Sequence, residues 1–411
     1  RAIYQAEEFL AAGAASNARS VGFNPGLVSA APIQGQSLRA QRPGYRLPFQ
    51  YNSIVKNAMK TLPQPTSYPE VFEVNDLVYI TAGRVSSTSA TTAIQTATHD
   101  DPTTVTKISA TTDAAYTYMN SGVEILRFGD YLYRIGEQVY TGSSYVLTPT
   151  IKRAHISDPT SWSAIGTMAV SLCWSARFVV GQYLYYVGGS AGSVTANIYR
   201  SPLSDLTQME QVGTFAGSYL YAPTFYQYGD YLYIIGGRSG SSASASTTLT
   251  NKIWRAHVSD PTAWTQIGTF PVALAYTGCG VVGDRVIIGG VRTGSDGGTY
   301  STSAWMADAS NPVSWSTLTA LNAAIAGRGS LVVDDTYCLY GGTNASSSGS
   351  TQIDSYTLTF TNTADRAIVY TEDYSLDSVQ SITSVTLDAK IPAGTSIRAM
   401  ASFDMGATWK Y

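Results

Sequence analysis

Along most of the chain, apolar residues come in alternating or continuous runs of about five, each closed by glycine, asparagine or a Ser/Asp/Pro cluster, which is the pattern of short β-strands joined by tight turns. The runs repeat. Six segments carry the same turn and aromatic-aliphatic strand: Asn75 to Ile80, Gly129 to Tyr133, Gly181 to Tyr185, Gly229 to Tyr233, Gly283 to Ile287 and Asp334 to Cys338. Between their second positions, Asp76, Asp130, Gln182, Asp230, Asp284 and Asp335, the steps are 54, 52, 48, 54 and 51 residues. Each repeat predicts an apolar strand, a Gly-Asp hairpin turn, a Tyr-rich strand ending in glycine, and two further strands. In the best-formed repeat Tyr231 to Ile235 leads to Gly236-Gly237, Ile253 to His257 makes the third strand, and Ser259-Asp260-Pro261-Thr262 turns into Trp264. Pro159, Pro261 and Pro312 belong in turns, because proline has no N–H to give to a ladder.

The double glycines Gly188-Gly189, Gly236-Gly237, Gly289-Gly290 and Gly341-Gly342, with an aromatic residue or Ile on the third strand and a later Trp, resemble the kelch repeat from Pro69 to Phe360. The first two repeats keep only Gly83 and Gly136 where a pair is expected. The resemblance implies an all-β fold, a kelch-like β-propeller of six blades. Such a ring has to close. The sixth repeat lacks a fourth strand after Ile353 to Phe360, and Ser53 to Met59, just ahead of the first repeat, is expected to supply it. The expected division is an extended N-terminal arm at 1–50, the propeller at 51–362 and a small antiparallel β module at 363–411.

The arm has a short helical signal at Gln5 to Ala15 and then Pro25, Pro32, Pro43 and Pro48 among scattered glycines, a composition that buries no core of its own. The C-terminal module shows strand patterns at Ile382 to Leu387 and Ile397 to Met400 and a hairpin turn through Asp404 and Gly406. Ser402 to Trp409 resembles the Asp-box of sialidases, which specifies a hairpin turn. In composition and strand order the segment also resembles β modules of bacteriophage tail and fibre proteins.

Charged residues make up 13% of the chain against a usual share of about 25%. With 25 basic and 28 acidic residues spread without runs, no positive stripe is available for a phosphate backbone, so nucleic acid is not expected as a partner. No apolar stretch reaches about 18 residues, so membrane insertion by a helix is not expected. Cys173, Cys279 and Cys338 are widely spaced and read as packing residues, the first two in first strands and the third in a second strand. His155 and His257 hold one repeat position and His99 a similar place, so blade rotation keeps them from sharing a metal ion. Neither a metal nor another cofactor is expected, and no catalytic constellation emerges.

Shape then becomes the candidate chemistry. Tight turns gather on one face of a propeller, and long loops and inter-blade connections on the other, where binding residues are usually found. On that loop face the expected binding residues are Tyr116, Tyr118, Trp174 and Tyr219, together with Tyr221, Tyr276 and Arg328. Aromatic faces beside hydroxyls and an arginine suit a glycan. The expected function is a non-enzymatic structural and adhesive virion protein of a phage tail or fibre. It would join other tail subunits through its terminal arms as part of an oligomer and offer the loop face to a host-surface glycan. The alternatives are a secreted, extracellular glycan-binding propeller or a sialidase-like or oxidase-like glycan-active enzyme.

Overall fold

The computed structural model describes residues 3–10, 33–34, 50–81, 83–86, 89–90, 93–110, 125–140, 145–191, 194–217, 219–239, 248–294, 298–344, 348–361, 366–370 and 395–402. All regular structure among them is β. The chain forms two compact units, one of residues 29–37 and 56–357 and the other of residues 1–28, 38–55 and 358–411.

The larger unit is a six-bladed β-propeller. Its first strands are Glu70–Val74, Leu126–Phe128, Ala176–Val180, Thr224–Tyr228, Gly278–Val282 and Gly329–Val333, in blades 1 to 6, and in blade 2 Ile33–Gln34 adds to the inner edge of Leu126–Phe128. Each pairs outward with its second strand, which carries tyrosine in every blade but the fifth, and then with a third, all antiparallel. The core lies between blades: Tyr226, Tyr233 and Ile253 of blade 4 pack on Val286, Ile288 and Trp305 of blade 5. Burying each such side chain contributes about 1.5–3 kcal/mol, so the inter-blade seams carry the stability.

Turn chemistry explains the repeat. The first residue of the hairpin between strands one and two has a positive φ in every blade, from Asn75 at 52° and Gly229 at 56° to Asp334 at 50°, as tight hairpin turns require. Between strands three and four an aspartate accepts from the residue two places on. Asp260 Oδ1 accepts from the Thr262 N–H at 3.1 Å and its hydroxyl at 2.6 Å, and Asp205 does the same with Thr207 at 3.1 and 2.6 Å. The Trp264 indole N–H closes the turn on the Pro261 carbonyl at 2.9 Å.

These outer turns also lock neighbouring blades. A Cβ on Gly166 would stand 2.5 Å from Thr207, one on Gly213 3.3 Å from Thr262, and one on Gly268 3.0 Å from Val313. The Tyr226 and Tyr233 hydroxyls donate to the carbonyls of Ala309 at 3.1 Å and Ser310 at 2.7 Å. Each turn therefore roofs the blade before it.

Closure follows the sequence expectation. Lys60 pairs with Ile353, Thr61 with Gln352 and Thr66 with Ser350. The Asn57 N–H donates to the Ser355 carbonyl at 2.9 Å, and its amide side chain donates to the hydroxyls of Ser355 and Thr357, each at 2.9 Å.

In the smaller unit the helical expectation for Gln5 to Ala15 fails over its described part. Ile3–Leu10 is a strand, paired antiparallel with Arg366–Tyr370 on one edge and Thr395–Ser402 on the other. An isolated helix of that length is marginal in water, and pairing on both edges satisfies the backbone instead. The expected strand at Ile397 to Met400 lies within Thr395–Ser402. The expected strand at Ile382 to Leu387 and most of the Asp-box fall outside the described residues.

Candidate functional site: the aromatic mouth of the channel

Two residues ahead of an innermost strand, the backbone turns left-handed. The φ values are 53° at Tyr68, 58° at Trp174, 49° at Ala222, 55° at Tyr276 and 61° at Gly327. Non-glycine residues visit this region at a cost of roughly 1–3 kcal/mol. The compensation is a chain of hydrogen bonds around the axis. The Ala222 N–H donates to the Trp174 carbonyl at 2.9 Å, Tyr276 to Ala222 at 3.3 Å, Gly327 to Tyr276 at 3.0 Å and Tyr68 to Gly327 at 2.7 Å.

The same geometry throws three aromatic side chains across the mouth. Ring centroids lie 5.7 Å apart for Tyr68 and Trp174, 5.1 Å for Trp174 and Tyr276, and 6.4 Å for Tyr68 and Tyr276, all edge to face. Ala222 and Gly327 stand between them. A Cβ on Gly327 would lie 2.3 Å from the Tyr68 ring, so only glycine fits there. Tyr221 joins the cluster 5.8 Å from Trp174, and burial pushes its hydroxyl pKa well above 10.0.

Two arginines flank Tyr276. Arg238 Nη1 donates to the Tyr276 hydroxyl at 3.2 Å, and the Arg292 guanidinium stands 5.0 Å from the ring centre. Arg292 is also 5.5 Å from Tyr300. Each arginine follows a glycine pair and opens a short ladder, Arg238–Ser239 with Thr248–Leu249 and Arg292–Thr293 with Thr299–Tyr300. Behind the plug is a channel cavity of about 190 Å³, lined by Ser175, Thr224, Phe225, Thr277 and Ser330. Its hydroxyls mostly serve the wall: Thr224 donates to the Thr277 carbonyl at 3.2 Å and Thr277 to that of Gly289 at 2.9 Å.

The expected site residues divide accordingly. Trp174 and Tyr276 sit in the mouth cluster, and Tyr221 is packed beside them. Tyr219 is 45% exposed and stands outside the cluster. Tyr116 and Tyr118 lie outside the described residues. Arg328 borders the cavity, but its guanidinium is turned into blade 6. Nη1 donates to Asp354 at 2.5 Å and Nη2 to the carbonyls of Leu339 at 2.7 Å and Gln352 at 3.0 Å. Tyr68, Arg238 and Arg292 were missed by sequence reading. The signal available was position, two residues before the first strand of a blade, or one or two residues after a glycine pair.

Groups capable of chemistry elsewhere are tied into turns and seams. The Nδ1 atoms of His155 and His257 each accept from the N–H of the serine two residues on, at 3.1 Å. His99 departs from that repeat role, reaching Glu73 at 2.5 Å and Asp334 of blade 6 at 3.2 Å across the closing seam. Arg134 of blade 2 clasps buried Glu70 of blade 1, with Nε donating to Oε1 at 2.8 Å. Burial raises the thiols of Cys173 and Cys338 to about 12, which keeps them unreactive at neutral pH. Cys173 precedes the innermost strand of blade 3 instead of lying within it. Among the described residues no three of His, Cys, Asp and Glu gather as metal ligands.

No family model matches the chain, and no curated protein is similar to it. Among solved structures it is similar to that of YjhT, with a TM-score of 0.57 and 15% identity over 71% of this chain and 95% of that one. At that identity the likeness is one of fold, and it places the chain among the six-bladed β-propellers.

Proposed function

We propose that this chain is a kelch-type, non-enzymatic adhesive protein of a bacteriophage tail or fibre, and that the channel mouth is its glycan-binding surface. The observation that supports binding is the pairing of Tyr276 with Arg238 and Arg292 on a run of backbone hydrogen bonds from Trp174 to Tyr68. A rigid support spares the ordering cost of association. Pyranose C–H faces suit the aromatic rings, and sugar hydroxyls or carboxylates suit the guanidinium forks. The absence of catalysis is supported by the commitment of Arg328, Asp354, Glu70 and the three histidines to structural contacts. The virion setting is supported by the low charge and hydroxyl-rich composition and by the likeness of the C-terminal segment to phage β modules. The terminal segments would provide the contacts with neighbouring subunits.

A glycan array probed with the full chain, alongside a variant carrying Arg238→Ala and Tyr276→Ala, tests the binding surface. At least a tenfold loss of signal is expected, about 1.4 kcal/mol. Equal binding by the variant, or cleavage of the bound glycan, removes the reading. Immunogold labelling of phage particles tests the setting, with label on the tail expected. A secreted protein would leave particles bare.

A further inference from the structure

On the face opposite the mouth, one seam is built differently from the others. Elsewhere the outer turn of a blade roofs the blade before it, as Thr207, Thr262 and Val313 do, and Tyr340 of blade 6 donates to Pro102 of the blade 1 turn at 2.8 Å. Blade 6 has no such turn, because its third strand and the residues that complete it come from opposite ends of the chain. Blade 5 is correspondingly without the hydroxyls that would hold one: Gly280 and Ile287 stand where blade 4 has Tyr226 and Tyr233.

The groove thereby left is about 390 Å³ and is lined, among the described residues, by Arg285, Met306, Asp308, Asn311 and Trp315, with Ser314 and Ser316 at its edge. In blades 2, 3 and 4 the equivalent space is filled by an arginine stacked on a tyrosine: Arg153 on Tyr131 at 4.4 Å, Arg200 on Tyr183 at 4.3 Å and Arg255 on Tyr231 at 4.4 Å. In blade 5 the pair is replaced. Arg285 takes the tyrosine position and Met306 the arginine position, so the side chains no longer stack and the space stays open.

We propose that this groove is a binding subsite for one neutral hexopyranose, separate from the channel mouth. Met306 offers an apolar floor for the C–H face of a sugar, bordered by Trp315, whose ring packs edge to face on Phe270 at 4.6 Å. Arg285 is a donor, Asp308 an acceptor, and Asn311 and the two serines are both, an array that matches vicinal hydroxyls. Asp284, 3.3 Å from Arg285, and Asp308 set two carboxylates against one guanidinium, so an anionic sugar is disfavoured. The groove volume falls within the range of about 300–1,000 Å³ usual for small-molecule sites.

The test refills the groove with the protein's own repeat chemistry. The double variant Arg285→Tyr with Met306→Arg restores the stacked pair of blades 2 to 4 and is checked for an unchanged thermal midpoint; exposed Asn311→Ala serves if it is not. Saturation-transfer NMR on the full chain uses the methyl glycosides of glucose, galactose and mannose. Transfer to at least one is expected to persist in the Arg238→Ala/Tyr276→Ala background, which removes the contribution of the mouth, and to weaken at least tenfold when the groove variant is added to that background. No transfer to any glycoside, or transfer that persists when the groove variant is added, overturns the subsite. Loss in the Arg238→Ala/Tyr276→Ala background alone assigns the sugar to the mouth and overturns it equally.

Discussion

Asp354 is fully buried, and Arg328, Asn322 and Lys56 all reach it, at 2.5, 2.8 and 3.3 Å. Burial pushes its carboxyl pKa up, but the Arg328 charge and hydrogen bond, the Asn322 N–H and the Lys56 charge outweigh that and hold it below 3.8. A carboxylate whose folded pKa is depressed contributes stability that is fully present above its unfolded value of about 3.9 and is lost as pH falls through the folded one. Urea unfolding between about pH 5 and pH 2 is therefore expected to show a steeper acid decline in the native chain than in Asp354→Asn. At neutral pH, Asp354→Ala strands the Arg328 charge in the interior and is expected to lose about 3–5 kcal/mol by the same measurement. A loss under about 1 kcal/mol would mean that solvent reaches the site.

Strand ends, more than strand centres, define the elements. Gly237 has a φ of 99° and gives its N–H to the Leu274 carbonyl at 2.7 Å, at the start of the connection into blade 5. A Cβ there would stand 2.9 Å from Leu220 and 3.2 Å from Pro223. Gly237→Ala is expected to cost about 1–3 kcal/mol and to lower the thermal midpoint, whereas Ser239→Ala, on the adjoining ladder, should leave it within about 0.5 kcal/mol. These positions were legible in the sequence because positive φ selects glycine, asparagine or aspartate, which left the marks at Asn75, Gly229 and Asp334. The helical pattern of Gln5 to Ala15 misled, since its fate depends on strands more than 350 residues away: Gln5 pairs with Tyr370 and Met400. Arg328 misled differently. It lies at the expected mouth, yet a single buried aspartate 26 residues downstream redirects it. Arg238 and Arg292 carry no mark in the repeat pattern, and the bridges Tyr221 to Arg238 and Ala275 to Arg292 bring them to Tyr276.

At the scale of the ring, closure joins sequence-distant segments, and its removal should be felt locally first. Deleting residues 1–66 takes away Lys60, Thr61 and Thr66 from the blade 6 ladder and Lys56 from Asp354. Hydrogen exchange is expected to quicken for Ser350 to Thr357 while Tyr231 to Ile235 in blade 4 stays protected, because seams are nearest-neighbour interactions. Uniform loss of protection would mean that the propeller unfolds as one unit. Repeat period and closure were both readable from the chain; the mouth was only half so, because its order resides in residues that face one another around a circle.

Over its described positions that circle alternates. From blade 3 round to blade 1 the residues at its rim run Trp174, Ala222, Tyr276, Gly327 and Tyr68, so each bulky ring has a small neighbour to lean over. Among the described rim positions, deleting the repeat of Ala222 would set Trp174 beside Tyr276, and duplicating that of Tyr276 would set two tyrosines side by side. The rim therefore does not tolerate every added repeat equally: a tandem duplication of the repeat that carries Tyr276 should lower the thermal midpoint more than one of the repeat that carries Ala222.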